Sequence, residues 1–481
     1  MSATRPTGAL RGAARALALL AASLPAASCS GEAPPPSVRA KSVVLFTVDT
    51  LRADHVGAAG FALRPTPSMD RLAAESAWFT AAYSQATLTN SALTTILTGV
   101  FPFQHGVHTQ AEVPNGVVPV QALAQEHGIA TGSFIANMCK MQEVPGTVYS
   151  MGWDRSFCGM FLEEGHEKEQ WEWDVAVVDA AIEWMAQQDG AFFCWIHLMD
   201  PHAEHRPDPE LWDYASRPPR EKYAQYEYFG SVEERREMPP PDELENLLEM
   251  YATEVQSADF QLGRVLSFLD SRADGDEVAL VFSADHGEEL FETWSRYDHG
   301  LSLTEGVLRV PLMVRARGVE PVRFDDPVET LQIAPTVAGL LALDSPVEYA
   351  GPSLLSDSPS RGNAASFATS DVITVRSRDL RYWWRNVRSQ IQRPDDAAPW
   401  RLDAFWFHEP EAAARYAVQP TGYPVERLTD AEVGRRPAVD RLRKVALSYS
   451  RDAANYRPGR RTDDPAVLEF LSKLGYHDSE K

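Results

Sequence analysis

Five short apolar runs alternate with stretches of helical periodicity along the middle of the chain. They are residues 43–48 (VVLFTV), 131–136, 192–198 (FFCWIHL), 278–283 (VALVFS) and 311–314. Runs of this length, rich in β-branched and aromatic residues, read as strands buried on both faces. Between them, residues 67–75 follow a Thr66 cap, and residues 174–188 carry apolar side chains at helical spacing. Residues 245–270 place Tyr251, Val255, Ala258, Leu262, Val265 and Leu269 on one helical face. Strands alternating with helices predict a parallel sheet covered on both sides. The expected unit is one large α/β domain over 41–355.

Two regions differ in texture. Residues 206–243 are rich in Pro, Tyr and charge and follow a strand end, which suits either a lid over a site or a plain surface loop. After Gly351 the periodicity fades, and 356–366 is rich in Ser, Pro, Gly and Asn. From there to 481 a smaller α+β subdomain is expected, with strands near 371–375 and 380–384. Its Trp383, Trp384, Arg385 and Trp406 read as packing residues. No internal repeat is present.

The N-terminus reads as an address. Arg5, Arg11 and Arg15 precede an apolar run and then small residues, the pattern of a secretory signal peptide over 1–28. The run Leu24-Pro-Ala-Ala-Ser-Cys29 resembles a lipoprotein cleavage box, with Ala26 where Leu is usual. Cys29 is thus either a lipidated membrane tether or lies beside an ordinary cleavage site. Residues 29–40, with Pro34-Pro35-Pro36, read as a short linker. Both readings place the protein outside the cytoplasm, in the periplasm or at the cell surface. There Cys139 and Cys158 are free to pair if their geometry permits, while Cys194 reads as a buried apolar filler.

Composition narrows the function. The 481 residues are 44% hydrophobic and 23% charged, enough for a sizeable core. No apolar run reaches the roughly 18–20 residues that span a bilayer. The net charge is −23 from 45 basic and 68 acidic residues, and the signal segment holds three arginines and no acid, so the remainder carries −26. Such a surface repels nucleic acid. An anionic substrate is still compatible with it, because a bound metal inverts the field locally.

The chemistry gathers at strand ends. The first strand ends in Asp49-Thr50, the 278–283 strand in Asp285-His286, and the 192–198 strand contains His197 and leads into Asp200-Pro201-His202. Ligand crevices of open parallel sheets lie outside the carboxyl ends of the strands. Asp49, Asp285 and His286 there make a divalent-metal set of two carboxylates and one imidazole. His205 with His202, His197 and Asp200 offers donors for a second ion. A helix is expected from about Asn90 or Ser91 to Gly99, which puts Thr89 at a helix start whose backbone N–H groups favour an anion. Thr89 is either a nucleophile or a cap.

These pieces, in this order, resemble the sulfatase family of the alkaline phosphatase superfamily. The segments that carry the resemblance include VVLFTVDTLRADHVG (43–57), LTGVFPFQHGV (97–107), IHLMDPHAE (196–204), FSADHGEEL (282–290) and DHGLSLTEGVLRVPLMV (298–314). The resemblance implies a mixed, mostly parallel sheet flanked by helices and a metal-dependent hydrolase or transferase of sulfate or phosphate esters. Its substrate would be an anionic ester on a glycan, a lipid or a small molecule. Its cofactor would be one divalent ion, Ca, Mn, Zn or Mg. Asp49, Asp285 and His286 match metal ligands, and Thr89, ten residues before Gly99, matches the nucleophile, which also faces the metal. His202 and His299 match the histidines that contact the transferred group or protonate the leaving oxygen. Asn137 and His197 fall among the substrate contacts.

The departures are as informative as the matches. The family motif carries Cys or Ser followed by x-Pro-x-Arg, and its first residue becomes formylglycine. Here the segment is Thr89-Asn90-Ser91-Ala92-Leu93, and Thr50 replaces a second Asp. Thr cannot become formylglycine. Superfamily relatives with an unmodified Thr act on phosphate or phosphonate esters or transfer phospho-groups. The other expectation is an inactive member that binds sulfated or phosphorylated glycans.

Overall fold

In a computed structural model, the described residues are 38–161, 169–217, 240–290, 297–300, 303–346, 348–369, 372–377, 381–385, 437, 441, 444–445, 448–449, 459–462 and 464–473. The signal and lipidation expectations at 1–28 and Cys29, most of the linker, residues 218–239 and Trp406 lie outside them, as do the side chains of Trp383, Trp384 and Arg385. Among the described residues no helix is long and apolar enough to cross a membrane.

The core is an eight-stranded sheet. Its strands are β1 (Ser42–Val48), β2 (Ala77–Phe79), β5 (Ala130–Ile135), β6 (Arg155–Cys158), β7 (Phe192–Leu198), β8 (Val278–Ala284), β12 (Leu312–Arg315) and β13 (Val322–Phe324). The order is β13-β2-β12-β8-β1-β7-β5-β6. The shorter strands β3 (Ala82–Tyr83), β4 (Glu112–Val113), β9 (Glu289–Leu290), β10 (Tyr297–Asp298), β11 (Arg309–Val310), β14 (Val328–Glu329), β15 (Ala364–Thr369), β16 (Val372–Arg376), β17 (Arg381–Arg385) and β18 (Arg460–Arg461) form four small sheets. Every residue of β1, β7 and β8 is buried. Each large apolar side chain there contributes about 1.5–3 kcal/mol.

One expectation needs correcting. The 311–314 run was read as a parallel strand, but β12 pairs antiparallel with β8 and with β2. The other seven strands share one direction. The cause is the connection from β8. It holds no described helix longer than four residues, so the chain never crosses back to the amino edge of the sheet before β12 begins.

Among the described residues the α-helices are α1 (Pro67–Ala74), α2 (Thr89–Thr98), α3 (Pro102–His105), α4 (Val120–Glu126), α5 (Gln170–Ala186), α6 (Pro241–Ser271), α7 (Glu305–Leu308), α8 (Ile333–Leu340) and α9 (Pro465–Lys473). Helix α6 packs on α1 and α5, while α2, α4 and α8 pack on one another, so two helical layers cover the sheet. The face expected on 245–270 is the buried face of α6. Helix α2 ends at Gly99 with φ +69° and its N–H on Thr95 O at 2.9 Å, a conformation that favours glycine. Cys139 and Cys158 form a disulfide with Cα atoms 5.7 Å apart. A closed loop of that size stabilises the fold by about 3 kcal/mol. Cys194 is buried and unbonded.

The strands expected near 371–375 and 380–384 are β16 and β17, which pair antiparallel. Their sheet is stitched to the main body. Phe367 N donates to Gln85 O at 2.9 Å, and Phe367 packs with Phe101 and Leu331. Ala365 N donates to the buried Glu329 carboxylate at 2.9 Å. Burial raises the Glu329 carboxyl from 4.5 to about 7. The folded state therefore favours the protonated acid. That contribution is fully present below pH 4.5 and is lost as the pH rises through 7. At about 1.4 kcal/mol per pKa unit, ionisation costs about 3 kcal/mol. Glu329→Gln keeps an acceptor for Ala365 and removes this cost. Thermal melts should show the variant a few degrees more stable than wild type at pH 8 and equal to it near pH 4.5. Equal melting at both would show that Glu329 is not held protonated.

Candidate active site

Four neighbouring strands, in the order β5-β7-β1-β8, deliver the polar residues to one edge. Parallel pairing sets Val48 opposite Ala284, so Asp49 and Asp285, the next residues on each strand, emerge side by side. Both are fully buried, as is His286. Their ligand atoms lie within 4.8 Å of one another, and no other such cluster occurs among the described residues.

The local backbone is made for this crowding. Thr50 takes φ +53°, rare for a β-branched residue, and its N–H reaches Asp285 Oδ1 at 3.2 Å. Tyr251 from α6 holds the turn by donating its hydroxyl to Thr50 O at 2.7 Å and accepting Arg52 N–H at 3.2 Å. His286 N–H donates to Asp285 Oδ1 at 2.7 Å. Gly287 is required by close approach: a Cβ there would lie 2.0 Å from Gly306 O.

A divalent cation fits these residues. Asp49 Oδ1 and Asp285 Oδ2 are buried with no hydrogen-bond partner. His286 Nδ1 faces Gly287 O at 3.0 Å, which places the ring proton there and leaves Nε2 as a lone pair, 3.4 Å from Asp285 Oδ2. Without a cation the cluster is in conflict. Burial and the Asp49 charge push the Asp285 carboxyl well above its ordinary range. Burial opposes ionisation of Asp49 as well, but the nearby imidazoles of His202, His197 and His286 outweigh it and hold its carboxyl low. Burial, then His299, brings His286 down to about 3. Two acids and a neutral imidazole, with bare oxygens turned inward, are the donors a metal needs.

Thr89 is the first residue of α2, one position earlier than expected, and Leu88 is the cap residue. Its Oγ1 lies 3.5 Å from both Asp49 Oδ2 and His286 Nε2. It therefore faces the carboxylates and does not cap the helix. The helix start is not as open to an anion as the sequence suggested, because Asn90 N–H is already bonded to Gln110 Oε1 at 2.7 Å. At the two motif positions that depart from the family, Ser91 Oγ donates to Val107 O at 2.6 Å and Leu93 lies in the core.

The remaining site residues surround this centre. Asn137, just past β5, donates Nδ2 to Asp49 Oδ2 at 2.7 Å, so it orients a ligand. The Cys139–Cys158 disulfide anchors the turn that follows it. His197 Nδ1 lies 2.9 Å from Thr47 Oγ1, and its Nε2 is 3.7 Å from Asp49 Oδ2. His299 and His202 have ring centres 5.3 Å apart, and His299 stacks 4.4 Å from His286. Asp174 on α5 accepts Met199 N–H at 2.7 Å and Asp200 N–H at 3.0 Å, which fixes the loop that carries His202. His205 is engaged elsewhere, between Glu254 and Tyr297, and does not join His202 in a second metal cluster.

Sequence reasoning missed Glu288, whose carboxylate accepts His299 Nδ1–H at 3.1 Å. Its signal was its place two residues after His286. It also missed Gln110 and Tyr251, which reach the site only through tertiary contacts and have no local signature.

Comparison with known proteins agrees with this geometry. Residues 41–343 match the family model described as Sulfatase. The ulvan-active sulfatase of Formosa agariphila is 22% identical over 329 residues, 63% of this chain and 62% of that protein. The chain spans less than two thirds of the length of the curated relatives it matches. Among solved structures, BT4656 in complex with D-glucosamine-2-N,6-O-disulfate aligns with TM-score 0.62 and 16% identity, covering 88% of this chain and all of that one. The phosphonate monoester hydrolase of Agrobacterium radiobacter aligns with TM-score 0.59 and 15% identity, again over 88% of this chain and all of that one. With more than half its length matched and the strand-end cluster in place, the chain belongs to the sulfatase family.

Proposed function

We propose that the protein is an exported, metal-dependent hydrolase of sulfate or phosphorus esters in which an unmodified Thr89 is the nucleophile. The observation that carries this reading is the position of Thr89 Oγ1, 3.5 Å from both Asp49 and His286 in a fully buried cluster. Asp49, Asp285 and His286 would hold the ion. Bound there, a divalent metal supplies positive charge that favours ionisation of a nearby hydroxyl and neutralises ester oxygens. Two carboxylates and one imidazole with open positions suit Zn or Mn better than Ca, which takes six to eight oxygens.

The protein's own groups divide the remaining work. Thr89 attacks sulfur or phosphorus in line and forms a covalent ester. Asn137 keeps Asp49 turned toward the centre. Glu288 accepts Nδ1–H and so favours the doubly protonated His299 ring, which, with His202 beside it, gives its Nε2 proton to the departing oxygen and regains one from the water of the next step. Water then cleaves the Thr89 ester and releases the anion. The Cys139–Cys158 disulfide supports an oxidising location such as the periplasm or cell surface. The ligand and activity named for two structural neighbours, a disulfated glucosamine and a phosphonate monoester, are in keeping with an anionic ester of a glycan or small molecule.

Assays of an aryl sulfate, a phosphate monoester, a phosphodiester and a phosphonate monoester, each with added Mn, Zn, Ca or Mg, test the reading. Thr89→Ala should lower kcat by at least about a thousandfold while metal content stays unchanged. Turnover retained in Thr89→Ala would remove Thr89 from the nucleophile role. No turnover by a metal-loaded wild type on any ester would leave an anion-binding module.

Metal binding has its own readout. Asp285→Asn keeps the acceptor for Thr50 and His286 while removing one of two crowded charges. The metal-free variant should therefore melt at or above metal-free wild type. Added Zn or Mn should raise the wild-type midpoint by several degrees and leave the variant unmoved. Equal metal stabilisation of both proteins would place the ion elsewhere.

A further inference from the structure

The amino end of α2 holds a polar side chain that the scheme above leaves unused. The loop from Gly106 to Val113 lies across the start of the helix. Asn90 Nδ2 donates to the carbonyl oxygens of Thr109, Gln110 and Glu112 at 3.2, 3.3 and 2.8 Å. On its other side the loop is held by the chain near β18. Gly459 N–H reaches Gly106 O at 2.5 Å, Thr462 N–H reaches Ala111 O at 2.8 Å, and β18 pairs with β4. The loop is thus pinned from both sides, and Gln110 is fixed with it, only 5% exposed.

Gln110 meets the helix in one orientation. Its partner at 2.7 Å is the backbone N–H of Asn90, which can only donate, so the carboxamide oxygen faces the helix and the nitrogen occupies the other branch. That nitrogen, Nε2, is buried with no hydrogen-bond partner. A buried donor without a protein partner is left for a water or a ligand to satisfy. This one stands beside the residue that follows Thr89. Through Gln110 the positive end of the helix is extended by one more amide, because each N–H···O=C–N–H link polarises the next. A cationic side chain is absent from the equivalent motif position, where Leu93 is in the core.

We propose that Gln110 Nε2 donates a hydrogen bond to the tetrahedral oxyanion of the substrate, as a neutral amide positioned by the nucleophile helix. This rests on the reading of the cleft as an ester-hydrolysing site and names one of its anion contacts. The ligand class is a sulfate or phosphorus oxyanion. Gln110 selects for a hydrogen-bond acceptor at that point and adds no charge of its own.

The test is the binding of inorganic sulfate and, in a separate arm, inorganic phosphate to the full chain loaded with Mn, measured by calorimetry beside thermal melts. Gln110→Glu keeps the oxygen that accepts from Asn90 and removes the donor. Gln110→Met removes donor and acceptor without adding charge. Gln110→Glu should melt like wild type, and both variants should bind the preferred anion about tenfold or more weakly, the scale of one hydrogen bond to a charged group. Wild-type affinity in Gln110→Met would reduce Gln110 to a helix cap and overturn the proposal, as would wild-type affinity in Gln110→Glu. Should Gln110→Met fail to fold, Gln110→Leu takes its place as the uncharged variant, and wild-type affinity in Gln110→Glu still overturns the proposal. Binding needs no turnover, so a protein that binds through Gln110 but hydrolyses nothing would sink the hydrolase reading and keep this one.

Discussion

Two carboxylates that should repel are held side by side in a dry interior, and the rest of the site follows from that constraint. Asp49 and Asp285 are adjacent because β1 and β8 are adjacent, parallel and in register, with Val48 opposite Ala284. Each of their unpaired oxygens, Asp49 Oδ1 and Asp285 Oδ2, is buried without a donor. Such a pair is tolerable only with a compensating cation or with one acid protonated. The hydrogen bonds around the pair leave donor atoms that suit the first. The backbone N–H groups of Thr50 and His286 occupy Asp285 Oδ1, and Asn137 occupies Asp49 Oδ2. What remains turned inward is one bare oxygen from each acid and one imidazole lone pair.

The second layer keeps that arrangement from relaxing. The left-handed turn at Thr50 is costly for a β-branched residue and would drift without restraint. Tyr251, from the long helix α6, grips it through Thr50 O and Arg52 N–H. Arg52 in turn donates to Glu288 O at 3.1 Å, the residue whose carboxylate orients His299. One tyrosine on a distant helix therefore links the Thr50 turn to His299. Asp174 on α5 does the equivalent task for the His202 loop.

The sheet and the grouping of Asp49, Asp285 and His286 were legible because both rest on local signals. Continuous apolar runs mark doubly covered strands, and an acid or histidine just past such a run falls at the carboxyl edge whatever the exact register. The direction of β12 was not legible, because it depends on where the preceding connection travels. The two-residue strands β3, β11 and β14 are too short to show any period. Glu288 sat within reach of a reading that stopped at His286. Gln110 and Tyr251 could not be found from sequence, since their roles exist only where a loop and a helix meet the strand ends. The second-ion set failed for the same reason in reverse. His205 is three residues from His202, yet its ring turns to Glu254 and Tyr297.

The altered motif on α2 is better explained as a different solution than as decay. Buried positions that hold unpaired charge are costly, because nothing repays its desolvation. Here those positions are kept. Asp49, Asp285 and His286 remain fully buried and mutually close, and the strained Thr50 turn is retained with its tyrosine clamp. The changed residues have also been given new work. Ser91 fastens the loop that carries Gln110, as its neighbour Asn90 does, and Leu93 fills the core. The start of α2 is thus a packed, hydrogen-bonded unit set beside an energetically expensive buried cluster, the arrangement on which the Thr89 proposal rests.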